Sequence, residues 1–273
     1  MTLTEALALA RRLDVPRLDA QLLLAHLLQQ PRSWLLAHDD AELTASQSAE
    51  LDRLLRLRAD AVPLAYLTGE REFHGLPLRV TPDVLVPRPD TETLVAWALE
   101  RLPAAGAAGA PRVLDLGTGS GAIALALKHA RPDVTVVATD ASPAALAVAR
   151  GNGERLGLAI DWQCGSWWQA VPEGRFDLIV SNPPYIAEGD AHLPALRHEP
   201  IAALTAGVDG LNDLRVIIAG AASRLRPGGW LLLEHGHDQA DAVTQLLREA
   251  GLVELQSRPD LSGTPRCSGG RVA

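Results

Sequence analysis

Through the first sixty positions apolar residues recur at helical spacing, as at Leu18, Leu22, Ala25 and Leu28, and Pro16 and Pro31 punctuate the stretch. That pattern predicts about four short helices. From Ala65 to Val86 the apolar positions alternate among Gly69, Gly75, Pro77 and Pro82, which suits a short hairpin. A helical segment begins near Asp90, and the small-residue run 103–111 reads as a loop. From Arg112 onward the period changes. Strand-like runs (113–116, 134–140, 177–182, 230–235) alternate with helical ones such as 122–130 and 143–150. The alternation predicts an α/β fold: a mostly parallel sheet, helices on both faces, and ligands at the carboxyl ends of the strands. The expected organisation is a helical bundle over 1–64, a hairpin connector over 65–86 and the α/β domain over 87–273.

Length and composition fit this division. The chain has 273 residues, 47% hydrophobic and 21% charged, enough for two packed units and too apolar for disorder. Its net charge is −8 and Lys128 is its only lysine, so no broad cationic footprint for duplex DNA is expected. Cys164 and Cys267 stand far apart, without disulfide or metal-ligand spacing. His235 and His237 lack further ligands nearby and read as loop residues after a strand, so no metal site is expected. Glu5, Arg11 and Arg12 interrupt the apolar N-terminus, which is unlike a signal peptide. No apolar run approaches the ~20 residues that a bilayer requires. The expectation is a soluble, cytoplasmic monomer with no membrane contact.

Two loops carry candidate chemistry. In Val113-Leu-Asp-Leu-Gly-Thr-Gly-Ser-Gly121 a strand runs into a glycine turn and then a helix. Glycine lets backbone N–H groups approach a ligand closely, and Gly117, Gly119 and Ala122 satisfy a dinucleotide-type spacing. Asp140, at the end of the next strand, is placed to hold two ribose hydroxyls. These features indicate an adenosine-containing cofactor and leave NAD as a competitor. Asp115 either receives a cationic amino-acid moiety, directly or through water, or structures the loop. The second loop, Ser181-Asn-Pro-Pro-Tyr185, directly follows a strand. Two prolines stiffen it and leave carbonyl oxygens free to accept. A planar amide or exocyclic amine is a poor nucleophile that must be held with its lone pair aimed at an electrophile. The Asn182 side-chain oxygen and the Pro183 carbonyl can each accept one N–H while Tyr185 packs on the plane, so catalysis by positioning is expected.

The glycine loop followed by Asn-Pro-Pro-Tyr resembles the amino-group methyltransferases, which act on DNA adenine N6 or protein glutamine N5. Tyr66-Leu-Thr-Gly-Glu-Arg-Glu-Phe73, Val86-Pro-Arg-Pro-Asp-Thr-Glu92, Asp115 to Gly121, Asn182 to Tyr185, Glu199-Pro200, Gly228-Gly229 and Glu234-His-Gly236 match in order the release factor glutamine methyltransferase (PrmC/HemK) family. The resemblance covers nearly the whole chain. It implies a Rossmann-like class I methyltransferase domain behind a small N-terminal helical domain. It further implies methylation of the glutamine of the Gly-Gly-Gln motif in bacterial class 1 peptide chain release factors, using S-adenosylmethionine and leaving S-adenosylhomocysteine. On the family pattern Gly117, Thr118, Gly119, Ser120, Gly121, Asp140, Trp167 and Asn182 bind the cofactor. Asn182, Pro183, Pro184 and Tyr185 hold the substrate, with Asn182, Pro183 and Tyr185 carrying catalysis. Arg88 and Pro89 are expected at the pocket entrance, and the helical bundle is expected to dock the factor. His198 before Glu199, Arg150-Gly-Asn-Gly153 and the terminal 260–266 run depart from the family pattern, and none is expected to touch the chemistry.

The alternative enzyme is a DNA adenine-N6 methyltransferase, which needs a basic target-recognition region that this sequence lacks. A non-catalytic nucleotide-binding regulator and a nicotinamide oxidoreductase share the glycine pattern, but the oxidoreductase gives Asn-Pro-Pro-Tyr no role.

Overall fold

The computed structural model describes residues 1–104, 109–260 and 262–273. The chain forms two compact units, Met1–Glu70 and Arg71–Ala273.

In the first unit α1 (Leu3–Arg12), α2 (Arg17–Leu28), α3 (Arg32–Ala37) and α4 (Ala45–Ala59) are followed by a helical turn, α5 (Leu64–Thr68). Thr2 with Glu5 and Thr44 with Gln47 form reciprocal capping boxes that satisfy the first free N–H groups of α1 and α4. Leu3, Leu23, Leu24, Leu51 and Leu55 form the core of the bundle. The half-buried Asp19–Arg58 pair, at 2.7 Å, ties α2 to α4.

A two-stranded hairpin, β1 (Glu70–Phe73) and β2 (Leu76–Arg79), starts at the last residue of the first unit and continues into the second, where α6 (Thr91–Arg101) follows. Of the small-residue run at 103–111, residues 105–108 lie outside the described residues, as does Leu261 in the terminal 260–266 run. There follow β3 (Arg112–Leu116), α7 (Ala122–Ala130), β4 (Thr135–Asp140), α8 (Pro143–Leu156), β5 (Asp161–Cys164), β6 (Phe176–Ser181), α9 (Asn212–Arg224), β7 (Leu225–Glu234), α10 (Ala240–Glu249), β8 (Val253–Pro259) and β9 (Pro265–Arg271). The seven-stranded sheet runs β5-β4-β3-β6-β7-β9-β8. It is parallel except for β9, which pairs antiparallel with both neighbours.

Alternation along the strands sorts the core into two layers. Val113, Val136, Leu178 and Leu232 face α6 and α7, whereas Leu114, Val137, Ile179 and Leu231 face α9 and α10. Strands buried on both faces read as continuous apolar runs, as the sequence shows at 178–180 and 230–233. The chain winds outward from β3 to β5 and then returns to β6 on the other side of β3. That reversal opens a crevice at the carboxyl ends of β3 and β6, where an open α/β sheet accepts ligands.

Asn152 in α8, fully buried, accepts from Arg79 N at 2.8 Å and donates to Arg79 O at 2.9 Å and Ser120 O at 3.0 Å. One carboxamide thus braces the hairpin strand β2 and the loop leaving β3. The 150–153 run lines neither cavity, in keeping with the expectation that it does not touch the chemistry, and a carboxamide there suits the task because it both donates and accepts. Asn152→Ala leaves those groups without their partner, and urea unfolding should show a loss of about 2–4 kcal/mol.

Candidate active site

The loop after β3 turns on residues with left-handed backbone. Gly119 has φ +55°, and a Cβ there would meet nothing within 4 Å, so its backbone faces open space. The N–H groups of Gly117 and Thr118 both donate to Thr139 O at 2.9 Å, which seats the loop on the end of β4. Asp140, at that end, accepts from Gly119 N and Ser142 N, each at 2.9 Å, one on each carboxylate oxygen. Burial raises its pKa, opposed by those N–H bonds. Each oxygen keeps a further lone pair for a hydroxyl donor.

Asp115 is fully buried one turn behind. It accepts from the Thr118 hydroxyl at 2.6 Å and Ala124 N at 3.2 Å, while its other oxygen is orphaned among the described residues. It is absent from the residues that line the cavity, and its bonds are to the glycine loop and the start of α7. Burial pushes its carboxyl up to about 7, against the Thr118 and Ala124 bonds.

Trp167 follows Gly165-Ser166 with φ +43°, unusual for a bulky side chain. Its indole N–H donates to Asp213 Oδ1 at 3.0 Å. The ring lies so close to Gly117 that a Cβ there would meet it at 3.3 Å. Burial raises the Asp213 carboxyl, with the indole bond opposing.

β6 ends beside β3, Ser181 paired with Leu116, and the Ser181 hydroxyl donates to Leu116 O at 2.6 Å. Asn182 follows immediately and donates from Nδ2 to Thr91 Oγ1 on α6 at 3.1 Å. The Tyr185 hydroxyl donates to Glu234 Oε1 at 3.3 Å, and the Tyr185 carbonyl accepts from Gln239 Nε2 at 3.0 Å. Tyr185 is raised well above the usual phenol range, by burial first and then by the neighbouring Glu234.

These loops enclose a cavity of about 390 Å3, within the range of small-molecule sites. Gly117, Thr118, Gly119, Ser120, Asp140, Trp167, Asn182 and Pro184 line it, with Arg88, Thr91 and Asp213. A slot of about 70 Å3 adjoins it, lined by Pro183, Tyr185, Leu196 and Leu204. The two share Leu85, Arg88, Asn182 and Ala203 as a common wall. Gly121, expected among the cofactor residues, is absent from both walls. A Cβ there would press on Leu125, Trp162 and Ala149, so a glycine lets the chain enter α7 against α8. Pro89 lines neither cavity, while Arg88 lines both.

Other polar groups brace the site without standing in either loop. Glu199, almost wholly buried, accepts from Val86 N at 3.0 Å and pairs with Arg88, pinning the segment before α6 to the wall of the slot. The sequence shows Glu199 only as a motif residue, and its partners lie 111 and 113 positions away. Thr91, Glu234 and Asp213 likewise carry no local signal of their partners. His235 is buried, bonding Gly236 O and Ser268 Oγ at 2.8 Å each. Among the described residues no helix is long and apolar enough to cross a membrane.

Residues 95–255 match the methyltransferase small domain family and residues 3–69 match the PrmC N-terminal domain. The chain is similar to a release factor glutamine methyltransferase of Bordetella pertussis, 52% identical over 94% of this chain and 95% of that one. It is also similar to the Escherichia coli protein of the same name, 43% identical over 98% and 97%. Among solved structures, a methyltransferase from Pyrococcus furiosus shares the fold, with TM-score 0.55 and 21% identity over 84% of this chain and 98% of that one.

Because the folded state binds the Asp115 proton more tightly than the unfolded chain, this group's penalty on stability grows from about pH 4 to about pH 7 and is constant above. Asp115→Asn should therefore lose about 1–3 kcal/mol less than the parent between about pH 5 and about pH 8, read by urea melts.

Proposed function

The chain belongs to the release factor glutamine methyltransferase family, and on that footing we propose that it methylates the side-chain amide nitrogen of the Gly-Gly-Gln glutamine in bacterial class 1 peptide chain release factors, with S-adenosylmethionine as donor. The observation that carries the proposal is the common wall at Asn182, where a cofactor-sized cavity meets a narrow slot fit for a carboxamide on a flexible stem.

The residues of the larger cavity suit the cofactor. The open backbone at Gly119 admits close approach, Asp140 offers carboxylate lone pairs to ribose hydroxyls, and the Trp167 ring, held by Asp213, offers a flat face to adenine. Bound there, S-adenosylmethionine supplies a methyl group on a sulfonium, an electrophile that needs no further activation. The protein's task is to present the nitrogen.

Asn182 donates through Nδ2 to Thr91, so its Oδ1, which has no partner among the described residues, is left to accept from a substrate N–H. Pro183 has no N–H and offers only a carbonyl, which takes the second N–H. With both N–H bonds directed, the lone pair of the amide nitrogen points across the shared wall. As the nitrogen gains positive charge its N–H groups become stronger donors, so these two acceptors bind the transition state more tightly than the ground state. The Tyr185 ring, anchored by its hydroxyl and its carbonyl, covers the plane of the amide. The surplus proton leaves to water.

The helical unit is assigned to docking of the factor, and the protein is assigned to the cytoplasm with its substrate. The DNA adenine alternative draws no support from the relatives, whose names specify release factor glutamine.

Labelled S-adenosylmethionine should transfer its methyl group to an intact release factor, and neither to the factor with Gln→Ala in that motif nor to duplex DNA. Label on DNA, or equal label on the two factors, would refute the assignment. Asn182→Ala should cut kcat about 100-fold while the cofactor Kd moves less than about threefold, since it removes a bond that strengthens only in the transition state. Trp167→Ala should do the reverse, raising the cofactor Kd about tenfold with kcat at saturation little changed.

A further inference from the structure

Gln239 stands at the start of α10 and lines neither cavity. Its backbone is fixed, since its carbonyl accepts from Val243 N at 2.9 Å and its N–H donates to Gly236 O at 3.1 Å. In the side chain Oε1 accepts from Gly236 N at 2.8 Å, and Nε2 donates to Tyr185 O at 3.0 Å and to Asp209 O at 3.3 Å. Three segments thus meet on one carboxamide: the turn after β7, the end of the Asn-Pro-Pro-Tyr run and the turn that leads into α9. Its orientation is dictated, because the reverse would set an oxygen against two carbonyls and an amino group against an N–H. Gly210 makes room for the contact. Its φ is +71°, and a Cβ there would overlap Tyr185 O and stand 2.8 Å from Gln239 Nε2.

The place of this clamp matters because the segment it holds is stiff. Two consecutive prolines fix φ at positions 183 and 184, so little slack remains between Asn182 and Tyr185. The direction of a group inside such a segment is set by where its two ends are held. The leading end is held by the Ser181 hydroxyl on Leu116 O and by the Asn182 bond to Thr91. The trailing end is held by Gln239 on the Tyr185 carbonyl, and by the longer contact of the Tyr185 hydroxyl with Glu234. We propose that Gln239 is a positioning residue of the amide-holding loop: by clamping the Tyr185 carbonyl it fixes the far end of the stiff segment, and with it the direction of the Pro183 carbonyl and the seat of the Tyr185 ring. The inference rests on the amide-methylation reading above and names a further residue on which that chemistry depends.

The clamp has a firm anchor and a specific polarity. The Asp209 side chain accepts from Leu211 N at 3.1 Å and pairs with Arg215 on α9 at 2.5 Å, so the second carbonyl that Gln239 bonds is itself held in place. A glutamate at 239 would keep the shape and the acceptor for Gly236 N, but it would lose both donors and set a charge against two carbonyl oxygens. A methionine there fills a similar space and makes none of the three bonds. The two substitutions therefore separate polarity from packing.

The test uses the full-length protein and two readouts. The first is NMR of ring-13C tyrosine without substrate: the chain has two tyrosines, and Tyr66→Phe leaves the Tyr185 signal alone. That signal should move from its parental position in Q239E, Q239M and G210A. The second compares kcat on the release factor with cofactor Kd. Q239M should lose about tenfold in kcat and Q239E more, with Kd within about twofold of the parent. Q239M combined with G210A should lose no more than G210A alone, because both act on one clamp. Urea melts check that each variant is folded, and the half-buried Gln239 positions carry the test alone if G210A does not fold. Parental kcat in Q239M, a loss that falls on cofactor Kd instead, an unmoved Tyr185 signal in Q239E, or losses that multiply in the double variant overturn the proposal. Should the parent fail to methylate the factor, the substrate assignment falls, and the tyrosine signal still decides whether Gln239 holds Tyr185.

Discussion

The pairing of β3 with β6 is the constraint on which the rest of this site depends. Leu116 and Ser181 are the last partners of two parallel strands, and the Ser181 hydroxyl closes on the Leu116 carbonyl. Two loops whose strands end 65 positions apart in sequence therefore leave the sheet at the same level, side by side. One is rich in glycine, and the proposed function gives its backbone to a cofactor. The other is stiffened by two prolines, and the same proposal gives its acceptors to an amide. Had β6 been placed at the far edge beside β5, both motifs would be intact and useless to one another.

Buried polar side chains then hold each loop to its neighbours. Asp115 braces the glycine turn from behind, Asn152 ties that turn to β2, Glu199 pins the segment before α6, and Glu234 reaches Tyr185. Burying such groups costs stability, and Asp115 and Glu234 show it by holding their protons up to about 7. What the fold gains is fixed geometry. A reaction that proceeds by aiming a weak nucleophile depends on angles, and loops held only by their own backbone would not maintain them.

Much of this was legible in the sequence because it is local. The onset near Arg112 of short strand-like runs alternating with helical ones marks the start of the sheet, and the strand-glycine-helix and strand-Asn-Pro-Pro-Tyr runs place both loops at strand ends. Asp140 is found by the same reasoning, since it ends the strand after the glycine turn. The bracing residues escape it because their meaning lies in partners far along the chain: Thr91 and Asn182 are 91 positions apart, Asn152 and Arg79 are 73 apart. Gly121 stands in the cofactor motif, and the fold adds a packing demand the motif does not show: a Cβ there would press on Leu125, Trp162 and Ala149. Asp115 is open to two readings from its position in the sequence, and its burial beneath Thr118 and its bond to Ala124 N are visible only in the fold.

The account stands or falls on which atom receives the methyl group. Fragmentation mass spectrometry of a release factor treated with the enzyme and S-adenosylmethionine locates it most directly. The added methyl should lie on the side-chain nitrogen of the Gly-Gly-Gln glutamine and nowhere else in the factor. A methyl group found on a backbone, a lysine or a carboxylate would contradict a site built to present a planar amide nitrogen.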